Sequence, residues 1–120
     1  MGIEDKRKHL RVRVSIPAEI YDVLNDKTMV GRIIDISAGG VSMVTREELP
    51  LHTPLSLSFE FESIKYKHIS ADVVREIKKG NESYIGIAFF NPDISEQEQI
   101  DGLVRRVRSR NERGMQKGNI

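Results

Sequence analysis

The sequence predicts an all-β fold: a six-stranded antiparallel barrel followed by one C-terminal α-helix. Three observations predict it. Apolar and polar residues alternate with period two in successive short stretches between Arg11 and Phe90. Turn-forming residues separate those stretches, and helical spacing begins only after Phe90. Short strands in succession, with no helix between them, favour a small barrel over a βαβ sheet.

The first strand starts at Arg11. Val12, Val14, Ile16, Ala18 and Ile20 share one face, and Arg13, Ser15, Pro17, Glu19 and Tyr21 the other. Pro17 has no N–H for a ladder bond, so it marks an edge position or a bulge. Asn25-Asp26 supplies a turn into a second strand, Thr28 to Ser37, and Val41 to Thr45 forms a third. The fourth has the cleanest alternation, with Leu55, Leu57, Phe59 and Phe61 set against Ser56, Ser58, Glu60 and Glu62. Ile69 to Ile77 is the fifth strand, and Gly80-Asn81 turns the chain into the sixth, Tyr84 to Phe90. Ser95-Glu96-Gln97-Glu98 then fits a capping box, and Ile100, Leu103, Val104 and Val107 form one apolar stripe to lay on the barrel. Gly114 to Ile120 has no pattern. The expected organisation is a flexible arm at 1–11, a barrel with its helix at 12–112, and a disordered tail at 113–120.

At 120 residues the chain has room for one core that folds without staples, and it has no cysteine for a disulfide or a thiolate metal site. Charged residues run from Glu4 to Arg13, unlike a signal peptide, and no apolar run is long enough to span a bilayer. A cytoplasmic protein without membrane insertion is expected. The net charge of +1 conceals an asymmetry: residues 1–13 carry +3, residues 105–120 carry +5 and the body between them −7. A nucleic-acid surface is usually basic along a face and rich in stacking aromatics; this body is acidic, with three Tyr, four Phe and no Trp. Nucleic acid is therefore not an expected partner, but a small anion at one end is compatible with the charge.

Two clusters can carry chemistry. Lys6-Arg7-Lys8-His9-Leu10-Arg11 precedes the first strand, and Asp35-Ile36-Ser37-Ala38-Gly39-Gly40 joins the second to the third. Asp35 and Ser37 are two apart and point to one side of a strand, and the glycine pair lets the backbone turn tightly beside them. Arginine presents a planar fork to guanine O6 and N7 or to a phosphate. A carboxylate accepts N–H groups from a guanine edge, and a serine hydroxyl can complete the set. On the residues alone a plainer reading carries more weight: a solvated arginine-rich strand start and an ordinary side-chain-to-backbone turn.

The combination resembles the PilZ family, whose members share Arg-x-x-x-Arg followed about two dozen residues later by [Asp/Asn]-x-Ser-x-x-Gly. Here these are Arg7-Lys8-His9-Leu10-Arg11 and Asp35-Ile36-Ser37-Ala38-Gly39-Gly40. Ala71-Asp72-Val73-Val74-Arg75 and Tyr84-Ile85-Gly86-Ile87-Ala88-Phe89 are similar to the family's later strands. The resemblance implies a bacterial PilZ-type barrel that binds the second messenger cyclic di-GMP. Arg7 and Arg11 would grip guanine and phosphate, Asp35 and Ser37 would bond a guanine, and Gly40 would leave room for it. Lys6, Gly39 and Arg75 are supporting candidates, although a surface ion pair is the plainer reading of Arg75. Lys6 stands where members that bind a stacked ligand pair have arginine, and lysine lacks the planar fork, so one ligand per chain is favoured.

Other residues point to less. His9, His52 and His68 are scattered without metal-ligand spacing, Ser37 has no evident base, and Glu60 and Glu62 fall on a polar strand face. Arg105, Arg106, Arg108, Arg110 and Arg113 read first as a solvated helix end and second as a docking surface. The expectation is a receptor without catalysis, metal or cofactor, which relays occupancy to an unidentified protein partner by ordering its arm. The alternative is a structural adaptor barrel that binds no ligand.

Overall fold

The computed structural model of the chain describes the backbone of residues 9–118 and the side chains of residues 9–113. Among these residues the elements run β1 (Arg11–Asp22), β2 (Lys27–Ser37), β3 (Gly40–Thr45), β4 (Pro54–Phe61), β5 (Ile64–Lys79), β6 (Glu82–Phe89) and α1 (Ile94–Gly118). Every strand pairing is antiparallel, and the sheet closes in the order β1-β2-β3-β6-β5-β4. The period-two faces turn inward as expected: Ile20, Ile33, Ile36, Met43, Leu55, Leu57, Val73 and Ile85 are fully buried. Pro17 lies beside a register irregularity between Arg13 and Ile16, just before the β1–β4 ladder begins at Ala18. Its missing N–H therefore breaks no bond to β4.

The helix closes one mouth of the barrel. Ile100, Leu103, Val104 and Val107 are buried in the same core as the strands, on the stripe that the spacing predicted. Removing four such side chains from water is worth on the order of 6–12 kcal/mol before ordering entropy is counted. The Tyr66 ring is buried against Phe59 at a centroid distance of 5.4 Å, and its hydroxyl donates to Gln99 Oε1 at 2.9 Å. Burial, with Glu96 nearby, pushes the Tyr66 phenol up from its ordinary pKa.

Three expectations need correction. The fifth strand starts at Ile64 instead of Ile69. Its hairpin turn is Glu62-Ser63, with φ of 53° and 70°, and no glycine or asparagine announces it. The strand keeps pairing past a bulge at His68, where φ is 59° and the backbone N–H donates to Ser58 Oγ at 3.0 Å. The helix cap is Asp93 in place of Ser95. Asp93 Oδ1 accepts from the N–H of Ser95 at 2.9 Å and of Glu96 at 3.2 Å, and also takes the Ser95 hydroxyl at 2.6 Å. A carboxylate complements the helix dipole better than a hydroxyl does, and these bonds hold Asp93 below the ordinary carboxylate range. Finally, the helix backbone runs to Gly118, past residue 112. One glycine costs a helix about 1 kcal/mol, and Met115, Gln116 and Lys117 are good helix formers. Residues 1–8 of the expected arm lie outside the described residues.

Candidate functional site

Strand register lays two rows of outward-facing residues side by side. In one row Arg13 pairs with Asp35, Asp35 with Ser42, Ser42 with Gly86 and Gly86 with Arg75. In the other Arg11 pairs with Ser37, Ser37 with Gly40, Gly40 with Ala88 and Ala88 with Asp72. The middle positions on β3 and β6 are Ser42, Gly86, Gly40 and Ala88, all small. The flanking positions are charged, except for Ser37. Small residues between large ones make a concave floor with an ionic rim.

Two adjoining hollows result. A cleft of about 210 Å³ is lined by His9, Arg11, Ser37, Gly39, Gly40 and Arg75, among others. A hollow of about 400 Å³ includes Asp35, Ile34, Tyr84, Ile77 and Lys79. Ser42 and Arg75 border both. Singly the first is smaller than the ~300–1,000 Å³ usual for a ligand pocket, whereas the two together fall inside that range.

Arg11 and Asp35 face each other across the β1–β2 pair, with Arg11 Nη1 3.4 Å from Asp35 Oδ1. This is a long contact through a single guanidinium nitrogen, and about a third of the arginine side chain remains exposed. Neither group is locked in a bidentate pair, so both stay available to a polar ligand. Ser37 is buried and closes the turn: its hydroxyl oxygen accepts from Gly39 N–H at 3.1 Å and donates to the Gly40 carbonyl at 3.3 Å. The plainer reading of this serine is thus realised, and one oxygen lone pair is left over.

The glycines serve a different purpose from the one expected. Neither Gly39 nor Gly40 adopts the left-handed conformation. They are glycines because of crowding. A Cβ on Gly40 would run into the Ile87 carbonyl oxygen of β6, and one on Gly39 would lie 2.9 Å from His9 Cδ2. Gly86 accommodates Arg75: a Cβ there would sit 3.3 Å from Arg75 Cβ and 3.4 Å from its Nη2, so the guanidinium lies over the bare backbone of β6.

Of the residues singled out in the sequence, Arg11, Asp35, Ser37, Gly39, Gly40 and Arg75 come together on this face. Lys6 and Arg7 lie outside the described residues. Ser42, Gly86 and Ala88 were missed as the floor. Counting outward from the two-residue turns at Ala38-Gly39 and Gly80-Asn81 would have paired Asp35 with Ser42 and Arg75 with Gly86. Also missed were two contacts from α1: Gln97 Nε2 donates to the Ala38 carbonyl at 3.2 Å, and Arg108 Nη1 to the Arg11 carbonyl at 3.4 Å.

Known proteins resemble this chain in sequence or in fold. A 64-residue stretch is 34% identical to an uncharacterized protein of Aquifex aeolicus (strain VF5), covering 52% of this chain and 30% of that protein. The PilZ domain of YcgR from Escherichia coli, solved with c-di-GMP, superposes with a TM-score of 0.71 at 14% identity, covering 93% of this chain and 98% of that domain. The MrkH–c-di-GMP complex of K. pneumonia gives a TM-score of 0.74 at 17% identity, over 90% of this chain and 54% of MrkH. The chain thus spans about half the length of MrkH and under a third of the Aquifex protein. At such identities the two superpositions speak for the fold. Sequence speaks for descent: the PilZ domain model matches residues 5–106, a span containing both motifs and the whole barrel, and the chain belongs to the PilZ domain family.

Proposed function

We propose that this chain is a cyclic di-GMP receptor domain that binds without catalysis. One observation carries the reading: the motif residues Arg11, Asp35, Ser37 and Gly40 meet on one outer face of the barrel, at a hollow with a small-residue floor and a charged rim. In this reading Arg11 and Arg7 hold guanine and phosphate, and Asp35 accepts N–H groups from a guanine edge. Ser37 adds its spare lone pair, and Gly40, which lets β3 lie close against β6, forms part of the floor. Arg75, lying flat over Gly86, supports the ligand from the opposite wall, with Gly39 and Lys6 nearby in the motifs. Similarity to PilZ structures that hold c-di-GMP supports the choice of ligand.

The relay belongs to the same reading. Two phosphates neutralise Arg7 and Arg11 together and fix the arm across the cleft, and a protein partner reads the arm's new position. Lys6, in place of arginine, favours one ligand per chain.

Calorimetric titration with cyclic di-GMP, with GTP and cyclic AMP as controls, tests the proposal. Selective saturation is expected. Arg11→Ala should cost about 2–4 kcal/mol, roughly 30- to 1,000-fold in affinity, because it removes one partner of a charge-assisted bond. Wild-type affinity in a folded Arg11→Ala protein would remove that residue from the site. Absence of wild-type binding at high micromolar ligand would leave the adaptor reading.

A further inference from the structure

We infer that α1 is a clamp on both binding motifs, with Gln97 and Arg108 as its positioning residues. The inference rests on the receptor reading and adds residues that lie in neither motif.

The two helix-to-motif bonds share a feature: each ends on a main-chain carbonyl. Gln97 holds Ala38, the turn residue between Ser37 and Gly39. Arg108 holds Arg11, the last residue of the arginine element. The donors are eleven residues apart on one helix, which at about 1.5 Å per residue is roughly 16 Å. Between them lie Ile100, Leu103, Val104 and Val107, the residues buried against the barrel. The helix is therefore anchored in the middle and grips one motif near each end of the anchored stretch.

Arg108 differs from its neighbours. Arg105, Arg106, Arg110 and Arg113 are exposed, and Arg105 and Arg110 form ion pairs with Asp101 and Glu62. Arg108 is half-buried, and among the described residues it has no carboxylate partner within ion-pair distance. A guanidinium partly withdrawn from water and directed at a neutral carbonyl gives up some of the solvation that a surface arginine keeps. Holding the Arg11 backbone is what that placement accomplishes. It fixes the base from which the Arg11 side chain reaches Asp35 and the cleft. Gln97 does the same for the turn that carries Ser37. Part of the ordering that binding would require is thus already done in the free protein.

Titration of the full chain with cyclic di-GMP, alongside thermal melts, tests the clamp. Arg108→Ala and Gln97→Ala should each weaken binding about 3- to 10-fold, the range of one modest hydrogen bond. Arg108→Lys, which still donates, should recover part of the loss. The decisive measurement is a double-mutant cycle. If Arg108 acts through Arg11, Arg108→Ala should add nothing in an Arg11→Ala background followed at millimolar ligand. Full additivity would overturn the positioning role and make Arg108 a direct contact. Unchanged affinity in both single variants would overturn the clamp while leaving the receptor reading intact. A wild-type protein that binds no cyclic di-GMP would sink the receptor reading. Hydrogen exchange without ligand would then judge the clamp. Gln97→Ala should speed exchange at the Gly39 and Phe89 amides, which donate to Ser37 Oγ and the Gly39 carbonyl, and spare Leu57. Unaltered exchange at both amides would overturn the clamp there too.

Discussion

Two hairpin turns of this barrel invert the usual relation between glycine and backbone conformation. The β2–β3 turn, Ala38-Gly39 leading into Gly40, carries two glycines, and neither is left-handed. The β4–β5 turn, Glu62-Ser63, has both residues left-handed, and neither is glycine. At Glu62-Ser63 tight hairpin geometry decides the dihedrals, and the side chains tolerate strain of about 1–2 kcal/mol per residue. Arg110 of α1 holds this turn from outside with two bonds to the Glu62 carboxylate, each 3.1 Å. At the β2–β3 turn the space around each Cβ decides the residue, and that space belongs to β6 and to His9. Glycine at the candidate site is therefore about room, and at the β4–β5 hairpin its absence is borne as backbone strain.

The sharpest way to break this contrast is Gly40→Ala. The new methyl has only backbone to push against, so β3 and β6 must separate, and stability should fall by about 3 kcal/mol or more in urea unfolding. A change below 1 kcal/mol would show that crowding is not what selects this glycine. Gly39→Ala should be far milder, within about 1 kcal/mol, because its obstacle is an imidazole that can swing aside. Ser63→Gly relieves a left-handed side chain at φ 70° and should stabilise by about 0.5–1 kcal/mol. Loss of stability there would mean that chain entropy outweighs the strain.

The smallest expected effect concerns acid. The two bonds from Arg110 hold the Glu62 carboxyl below its ordinary value of 4.5. A depressed pKa contributes stability above the unfolded value and loses it as pH falls through the folded one. Wild type should therefore lose slightly more stability than Arg110→Ala between about pH 5 and pH 3. The pair is exposed and salt-screened, so parallel pH profiles in low salt would discount it entirely.

Legibility followed the range of the interaction. Period-two strands and the helical stripe are local, and Val12 to Ile20, Leu55 to Phe61 and Ile100 to Val107 were readable as they stand. Arg11, and Asp35 with Ser37, could be singled out because each of their two motifs is compact in sequence. The start of β5 was hidden, since Glu62-Ser63 lacks the residues that usually mark its conformation. Ser95 looked like a cap because its hydroxyl is a good acceptor, yet Asp93 two residues earlier is a better one. Gln97 and Arg108 were out of reach: their carbonyl partners are 59 and 97 residues away, and no local pattern encodes such a meeting. The floor of Ser42, Gly86 and Ala88 was recoverable in principle, but small residues in strands attract attention only once their register is known.

Pro17 bears on self-association. The β1–β4 ladder begins at Ala18, so Arg11–Pro17 pairs with β2 along one side, apart from the irregularity at Val14-Ser15, and among the described residues it has no strand partner on the other. An open edge of this kind is a template on which a second molecule's strand can grow. Here the template is spoiled three times over. Pro17 offers no N–H, Arg11 and Arg13 bring like charges to any approaching copy, and Arg108 already occupies the Arg11 carbonyl. The helix that closes the core thus also covers one carbonyl of this edge. Loss of α1 would expose apolar interior and free the Arg11 carbonyl, while Pro17 and the two arginines would still oppose strand addition.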